Sequence, residues 1–274
     1  MNILGSRIEV AHDDQRLRSL FLSDLHISIG GGRSLQDLHG ILDTARENAS
    51  QTRVLILGDL FDAYIGPKQL RVGACGEVCD ALRRATDAGV SVTVLHGNRD
   101  YMLDDVFARR CGVRVVAGGL RFRIGERQGI VLHGDELCLN DHPYQRSKRW
   151  LRHPITRFIL RHLPLAVALW AGRKVRDRSE EIVRSGTQER FAPTEEAIRE
   201  ALSGSDILVF GHIHVPASGT IEGAGEYWVL PAFDEGGVHL EGQAGSLTYR
   251  SPTGEILADF PERIWPHSGE VGAR

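Results

Sequence analysis

Five short apolar runs recur along the chain, and each breaks into polar or acidic residues: SLFLSDLH (19–26), RVLILGDLFD (53–62), VSVTVLHGNRD (90–100), GIVLHGDE (129–136) and DILVFGHIH (206–214). Val-, Ile- and Leu-rich runs of this length, without strict alternation, predict strands covered on both faces. Helical patterning lies between them, in SLQDLHGILDTARENA from Ser34, around Val78 to Ala88, and in PTEEAIREAL from Pro193. The last begins Pro-Thr-Glu-Glu, which suits a first helical turn. Strands alternating with helices predict an α/β sheet, in which ligands bind beyond the carboxyl ends of the strands. After Pro216 the texture changes to YWVL, GGVHL, SLTYR and EILADF between Gly-rich turns, which predicts an antiparallel meander.

The run endings carry the candidate chemistry: Asp24 with His26, Asp59, Asn98, His133, and His212 with His214. Singly, each has an ordinary explanation. An aspartate caps a helix, an asparagine beside Gly97 makes a turn, and a histidine ends a strand as a satisfied polar group. As a set they are oxygen and imidazole donors without a thiolate, too many for one tetrahedral zinc. They suit two divalent ions, Mn²⁺, Fe²⁺ or Zn²⁺, sharing a carboxylate. Side chains two apart on a strand share a face, so Asp24/His26 and His212/His214 are expected to act as chelating pairs.

Composition narrows the class. A chain of 274 residues, 42% hydrophobic and 25% charged, is long enough for one large domain or two small ones. The longest apolar run, 163–172, contains Pro164 and is about half of what spanning a bilayer requires. MNILGSRIEVAHDDQR lacks the apolar core of a signal peptide, so a cytoplasmic location is expected. Cys75, Cys79, Cys111 and Cys138 show no CxxC spacing and are expected to be reduced thiols. The net charge of −3 hides an asymmetry: residues 143–178 carry +9, leaving −12 for the rest.

The order D-x-H, GD, GNRD, HGD, GHIH resembles the calcineurin-like metallophosphoesterases over residues 19 to about 235. The resemblance implies a four-layer αββα sandwich with a small helical lid insertion. It divides the chain into a core of 1–142 and 195–266, an insertion of 143–194 and a frayed tail at 267–274. It further implies two divalent ions, Mn²⁺ foremost with Fe²⁺ or Zn²⁺ as alternatives. One would sit on Asp24, His26, Asp59 and His214, the other on Asp59, Asn98, His133 and His212, with Asp59 bridging. Paired cations acidify a shared water and neutralise a phosphoryl group. Asn98, Arg99 and His212 would then contribute to catalysis, and Gly211 would permit a tight exit from its strand.

GDLFDAYIG (58–66), HGNRDYML (96–103) and HGDELCLNDHPYQRSKRW (133–150) are similar to the UDP-2,3-diacylglucosamine diphosphatases of lipid A biosynthesis. That resemblance implies a lipid-linked UDP-sugar substrate, with Arg99, Asp135, Tyr144 and Ser179 as candidate contacts and Arg184 as a substitute for a contact the family makes elsewhere. Two later insertion positions depart from the family's Asn and Lys and are Val183 and Gly186. A related enzyme acting on another lipid-linked or soluble nucleotide phosphodiester is the alternative. Within 146–178, Ile155, Phe158, Ile159, Leu163, Leu165, Leu169 and Trp170 alternate with Arg157, Arg161, Arg173, Lys174 and Arg176. Apolar and cationic faces on one helical stretch suit an anionic membrane surface, which predicts peripheral attachment to the inner face of the cell membrane. Few stacking aromatics accompany these cations, so nucleic acid is not expected as a partner. The sequence sets no oligomeric state.

Overall fold

The structure is a computed structural model and describes residues 2–11, 16–167, 169–172, 174 and 188–257. Two mixed seven-stranded sheets stack face to face. One runs in the order β14-β13-β12-β3-β4-β5-β6, the other β1-β2-β7-β8-β9-β11-β10. In the first, β3 (Arg18–Leu22), β4 (Thr52–Ile56) and β5 (Ser91–Leu95) lie parallel at the centre, extended by β6 (Arg114–Val116). The second pairs β8 (Arg127–Val131) with β9 (Ile207–Phe210) in parallel. It also holds β1 (Asn2–Ile3), β2 (Ser6–Val10) and β7 (Gly119–Ile124). The five apolar runs are therefore strands, but they divide three and two between facing sheets.

The burial pattern explains why they read as continuous apolar runs. Phe21, Leu55, Leu95, Val131 and Val209 meet between the sheets. Their neighbours Leu22, Val54, Ile56 and Val94 face helices on the outside. Those helices are α1 (Arg33–Glu47), α2 (Ala74–Asp87) and α3 (Asp105–Cys111). Helix α1 buries Leu35, Leu38, Ile41, Leu42 and Ala45, the stripe of an amphipathic helix. Asp104 caps α3 by accepting from Val106 N and Phe107 N, and Gly112 ends it at φ 73°. Its seven residues offer too little periodicity to stand out in the sequence. On the far side, Ala197, Ile198 and Ala201 pack against Leu208 and Phe210. They lie on the helix Glu195–Ala201, which Thr194 caps through Ala197 N. Helix, sheet, sheet, helix gives the four layers that the family resemblance implied.

The expected meander divides as well. The hairpin β10 (Ala217–Ile221) and β11 (Gly225–Val229) extends the second sheet, with β11 parallel to β9. Strands β12 (His239–Gln243), β13 (Ser246–Arg250) and β14 (Ile256–Leu257) join the first through an antiparallel β12–β3 pair. A disulfide joins Cys79 of α2 to Cys111 of α3, whose Cα atoms are 4.5 Å apart, correcting the expectation of four reduced thiols. Cys75 and Cys138 are free and buried. Side-by-side packing of α2 and α3 brings together two cysteines 32 positions apart, which sequence spacing could not reveal.

Beyond β8 come α4 (His142–Leu151), capped by Asp141 through Tyr144 N, and α5 (Pro154–His162). A further short helix, α6 (Gln188–Phe191), precedes the Glu195–Ala201 helix, α7. The two ends of this stretch are tied together. Arg190 Nη2 lies 2.7 Å from Asp141 Oδ1, and Thr194 N donates to Leu137 O at 3.1 Å. Among the described residues, no helix is long and apolar enough to cross a membrane.

Candidate metal centre

The candidate ligands lie just past the strands rather than on them. Asp24 and His26 follow β3, Asp59 follows β4, Asn98 follows β5, His133 follows β8, and His212 and His214 follow β9. Five of these sit in the left-handed region: Asp24 at φ 56°, His26 at 45°, Asp59 at 50°, His212 at 70° and His214 at 59°. Non-glycine residues adopt that conformation at a cost of order 1–3 kcal/mol each, and it concentrates at functional sites. The pairing of Asp24 with His26, and of His212 with His214, therefore comes from a folded-back loop. Strand alternation, the basis of the sequence expectation, does not produce it.

Backbone and side-chain bonds fasten these loops to one another. Asp24 N donates to Gly58 O at 3.2 Å and His26 N to Asp59 O at 3.0 Å. Asp24 Oδ2 accepts from Ser23 Oγ at 2.5 Å and from His212 N at 2.8 Å. Asp59 Oδ1 accepts from Arg99 N at 2.8 Å. Asp100 Oδ2 accepts from Leu60 N and its Oδ1 from Gly97 N, both at 2.8 Å, so one buried carboxylate joins the Asp59 and Asn98 loops. Gly211 is not left-handed. Instead, a Cβ there would collide with Ser23 Oγ and Asp24 Oδ2. The glycine is needed for close approach, which corrects the expected reason for it.

The donors converge on two neighbouring points. Asp24 Oδ1 faces His214 Nε2 at 3.4 Å and His26 Nε2 at 4.0 Å. Asp59 turns Oδ2 toward His26 Nε2 at 3.5 Å and Oδ1 toward His133 Nε2 at 3.9 Å. Asn98 Oδ1 is 3.0 Å from His133 Nε2, and the His133 and His212 rings lie 5.0 Å apart. Two sets, Asp24–His26–His214 and Asp24–Asp59–His133, each bring their ligand atoms within 4.8 Å of one another. Asp24 Oδ1 and His26 Nε2 are buried without a hydrogen-bond partner. Buried polar atoms are rarely left so, and an ion between them would satisfy both. The far ring nitrogens are held: His26 Nδ1 by Asp234 Oδ2 at 2.9 Å, and His133 Nδ1 by Leu57 O at 2.8 Å. Both orient Nε2 inward, the arrangement a metal-binding imidazole needs.

Electrostatics agree with a cation site. Burial would raise Asp24 and Asp59, yet the surrounding histidines hold both carboxyls below their ordinary range. Burial would lower His26, but Asp234 and Asp59 push it up to about 10. Burial likewise opposes charge on His133, which Asp59 and Asp24 nonetheless raise. Protons on His26 and His133 thus offset negative charge that divalent ions would neutralise more fully, while burial and His133 lower His212.

The expected contacts are placed unequally. Arg99 is 24% exposed, with Nη1 3.1 Å from Asp62 Oδ1 and Nε 3.6 Å from Asp59 Oδ2. The Tyr144 ring lies 6.3 Å from that of His212. Asp135 is wholly buried and engaged by Tyr144 and Lys148 rather than open to a ligand. Ser179 and Arg184 lie outside the described residues, as do Val183, Gly186, Arg173 and Arg176. Asp234, Asp62, Asp100 and Ser23 were not singled out by sequence. Asp62 and Asp100 do stand inside the GDLFD and GNRD motifs, which gave a usable signal. Asp234 had none, lying 208 positions from the histidine it orients.

Comparison with known proteins follows the same residues. The calcineurin-like phosphoesterase family profile matches residues 17–216, a span that includes every candidate ligand. A protein of Pseudomonas putida (strain W619) named UDP-2,3-diacylglucosamine hydrolase is 34% identical over 200 residues, 72% of this chain and 82% of that one. One of that name from Pseudomonas aeruginosa (strain UCBPP-PA14) is 33% identical over 201 residues, with the same coverage. A solved dimetal phosphatase from Danio rerio aligns over 87% of this chain and 96% of its own, at 12% identity and a TM-score of 0.43. The chain belongs to the calcineurin-like phosphoesterases, as a metal-dependent hydrolase of phosphoester or pyrophosphate bonds.

Proposed function

We propose that the chain hydrolyses the pyrophosphate of UDP-2,3-diacylglucosamine, giving UMP and 2,3-diacylglucosamine 1-phosphate. The relatives carrying that activity in their name support the substrate. The observation that carries the chemistry is the pair of buried, unpartnered atoms, Asp24 Oδ1 and His26 Nε2, beside a carboxylate whose two oxygens face different histidines. Asp24, His26, Asp59 and His214 would hold one ion, and Asp59, Asn98, His133 and His212 the other, a carboxylate–imidazole set that accepts Mn²⁺, Fe²⁺ or Zn²⁺, of which we propose Mn²⁺. When bound, the pair supplies a water acidified to near neutrality and positive charge for the phosphoryl oxygens.

The protein's own groups do the rest. Asp62 and the Asp59 carboxylate fix the Arg99 guanidinium at the edge of the centre. Its planar fork suits the equatorial oxygens of a phosphoryl group in transfer. With the core taken as 1–142 and 195–266, the described part of the 143–194 insertion acts as a cover on it. Three contacts to the core support this. Arg152 Nη2 donates to Gly97 O at 3.2 Å, Arg161 Nη1 lies 2.8 Å from Asp104 Oδ2, and Lys68 Nζ donates to Leu163 O at 3.1 Å. Trp150, Ile155, Phe158, Ile159, Val167 and Trp170 remain exposed on this stretch. An apolar surface of that extent among cations suits acyl chains and an anionic bilayer, which supports our reading of peripheral attachment to the inner face of the cell membrane.

The test is hydrolysis of UDP-2,3-diacylglucosamine with Mn²⁺, run beside bis-p-nitrophenyl phosphate and cyclic nucleotides. UMP release far faster than the other two reactions supports the assignment. Equal rates, or none on the lipid, would remove it and leave a general phosphodiesterase.

A further inference from the structure

One buried carboxylate fastens the first helix of the insertion to the ligand loops. Asp135 stands two residues beyond His133 and is 0% exposed. Tyr144 Oη donates to its Oδ2, Lys148 Nζ lies 2.8 Å from that oxygen, and Arg152 Nη2 lies 3.8 Å away. Gln145 Nε2 also donates to the Asp135 carbonyl at 2.8 Å, and Lys148 Nζ is 3.5 Å from Glu136 Oε1. Arg152, at the end of α4, reaches the carbonyl of Gly97, one residue before Asn98. A ten-residue helix thus grips the loops carrying His133 and Asn98 together. Exposed ion pairs such as Arg46–Asp43 contribute little to such a grip. The Asp135–Lys148 pair is of another kind, with side chains 0% and 12% exposed. Removing one member of a buried pair leaves the other charge uncompensated.

We propose that Asp135 and Lys148 are a positioning pair that locks α4 beside the metal centre, so that the cover holds an amphiphilic substrate in register with the reacting phosphorus. This rests on the substrate reading given under Proposed function. Neither side chain meets the reacting atoms; the pair acts through α4, which carries Tyr144 against His212. A small soluble diester needs the metal centre alone, whereas a lipid-linked nucleotide also needs the cover.

The test is Lys148→Met with Lys148→Arg as the rescue. Lys148→Met is expected to raise KM for UDP-2,3-diacylglucosamine by about tenfold through lost positioning. Its kcat/KM on bis-p-nitrophenyl phosphate should stay within about twofold of the parent, because transition-state contacts at the metals are untouched. Metal content should not change. Amide hydrogen exchange across 142–151 should speed up by about tenfold as the helix opens locally. Lys148→Arg should restore both KM and protection. Parallel loss on both substrates, or unchanged KM with unchanged exchange in Lys148→Met, overturns the proposal. Should the parent enzyme not cleave the lipid-linked nucleotide, the substrate reading fails. The exchange measurement alone then judges the lock: faster exchange upholds it, unchanged exchange removes it.

Discussion

Asp59 and Arg99 stand side by side at the centre yet answer different substitutions. Asp59 is 2% exposed and divides its oxygens between His26 and His133. Asp59→Ala is expected to release both metals and lower activity by about 10³ or more, since the shared ligand is gone. Elemental analysis checks it, and two retained ions would contradict the bridging role. Arg99 donates its backbone N–H to Asp59 Oδ1, and its guanidinium lies at the rim with Nε 3.6 Å from Asp59 Oδ2. Arg99→Ala should keep both metals while turnover falls about 10²-fold, the cost of losing one charge-stabilising group. Metal loss in that variant would show the arginine to be structural. Motif spacing exposed both residues. It could not expose Asp234, which meets His26 only after the chain returns through a distant turn.

Loop geometry beyond each strand decides what the elements deliver. A run of apolar residues shows that a strand is buried, but not that its next residues fold back at positive φ. Because Gly211 lies against Ser23 and Asp24, Gly211→Ala would push apart the ends of β9 and β3 and with them His212 and Asp24. We expect at least ~10²-fold less activity with the fold retained, because misplacing reacting groups by about 1 Å has that effect. Unchanged kcat/KM with an unchanged circular dichroism spectrum would contradict it. Strand β12 carries a separate, pH-dependent contribution. His239 is buried, and desolvation lowers it from 6.5 to about 4. The unfolded chain therefore takes up this proton first. Its contribution is complete above about pH 6.5 and is lost as pH falls toward 4, amounting to about 3 kcal/mol across that window. Thermal melts from pH 7.5 to 4 should show this fall, and His239→Gln should flatten it; an unaltered slope would refute it.

Over the whole molecule, cationic residues and, among the described residues, exposed aromatics gather in one stretch of the chain. The exposed aromatics Trp150, Phe158 and Trp170 all lie in the stretch that carries +9. Sedimentation with phosphatidylglycerol vesicles should pull the protein down at low salt, and 0.5 M NaCl should weaken binding because surface charge is screened. Phe158→Ser with Trp170→Ser should reduce partitioning by at least about tenfold, as each buried aromatic contributes roughly 1.5–3 kcal/mol. Vesicle binding unaffected by salt and by both substitutions would rule this surface out. The described part of the same stretch contacts the core through Asp135, Gly97 and Asp104.

The sequence by itself marked the candidate donors, because hydropathy picks out five buried strands and each runs on into carboxylate, amide or imidazole side chains. It also determined that a basic, apolar stretch separates HGD from GHIH. Tertiary structure alone decided the rest. It assigned β3, β4 and β5 to one sheet and β8 and β9 to the other, since pairing partners depend on contacts between distant segments. It buried Asp135 beneath α4, put Asp234 behind His26 and joined Cys79 to Cys111. Periodicity records how one element meets its surroundings; which other element supplies those surroundings is settled only when the chain closes on itself.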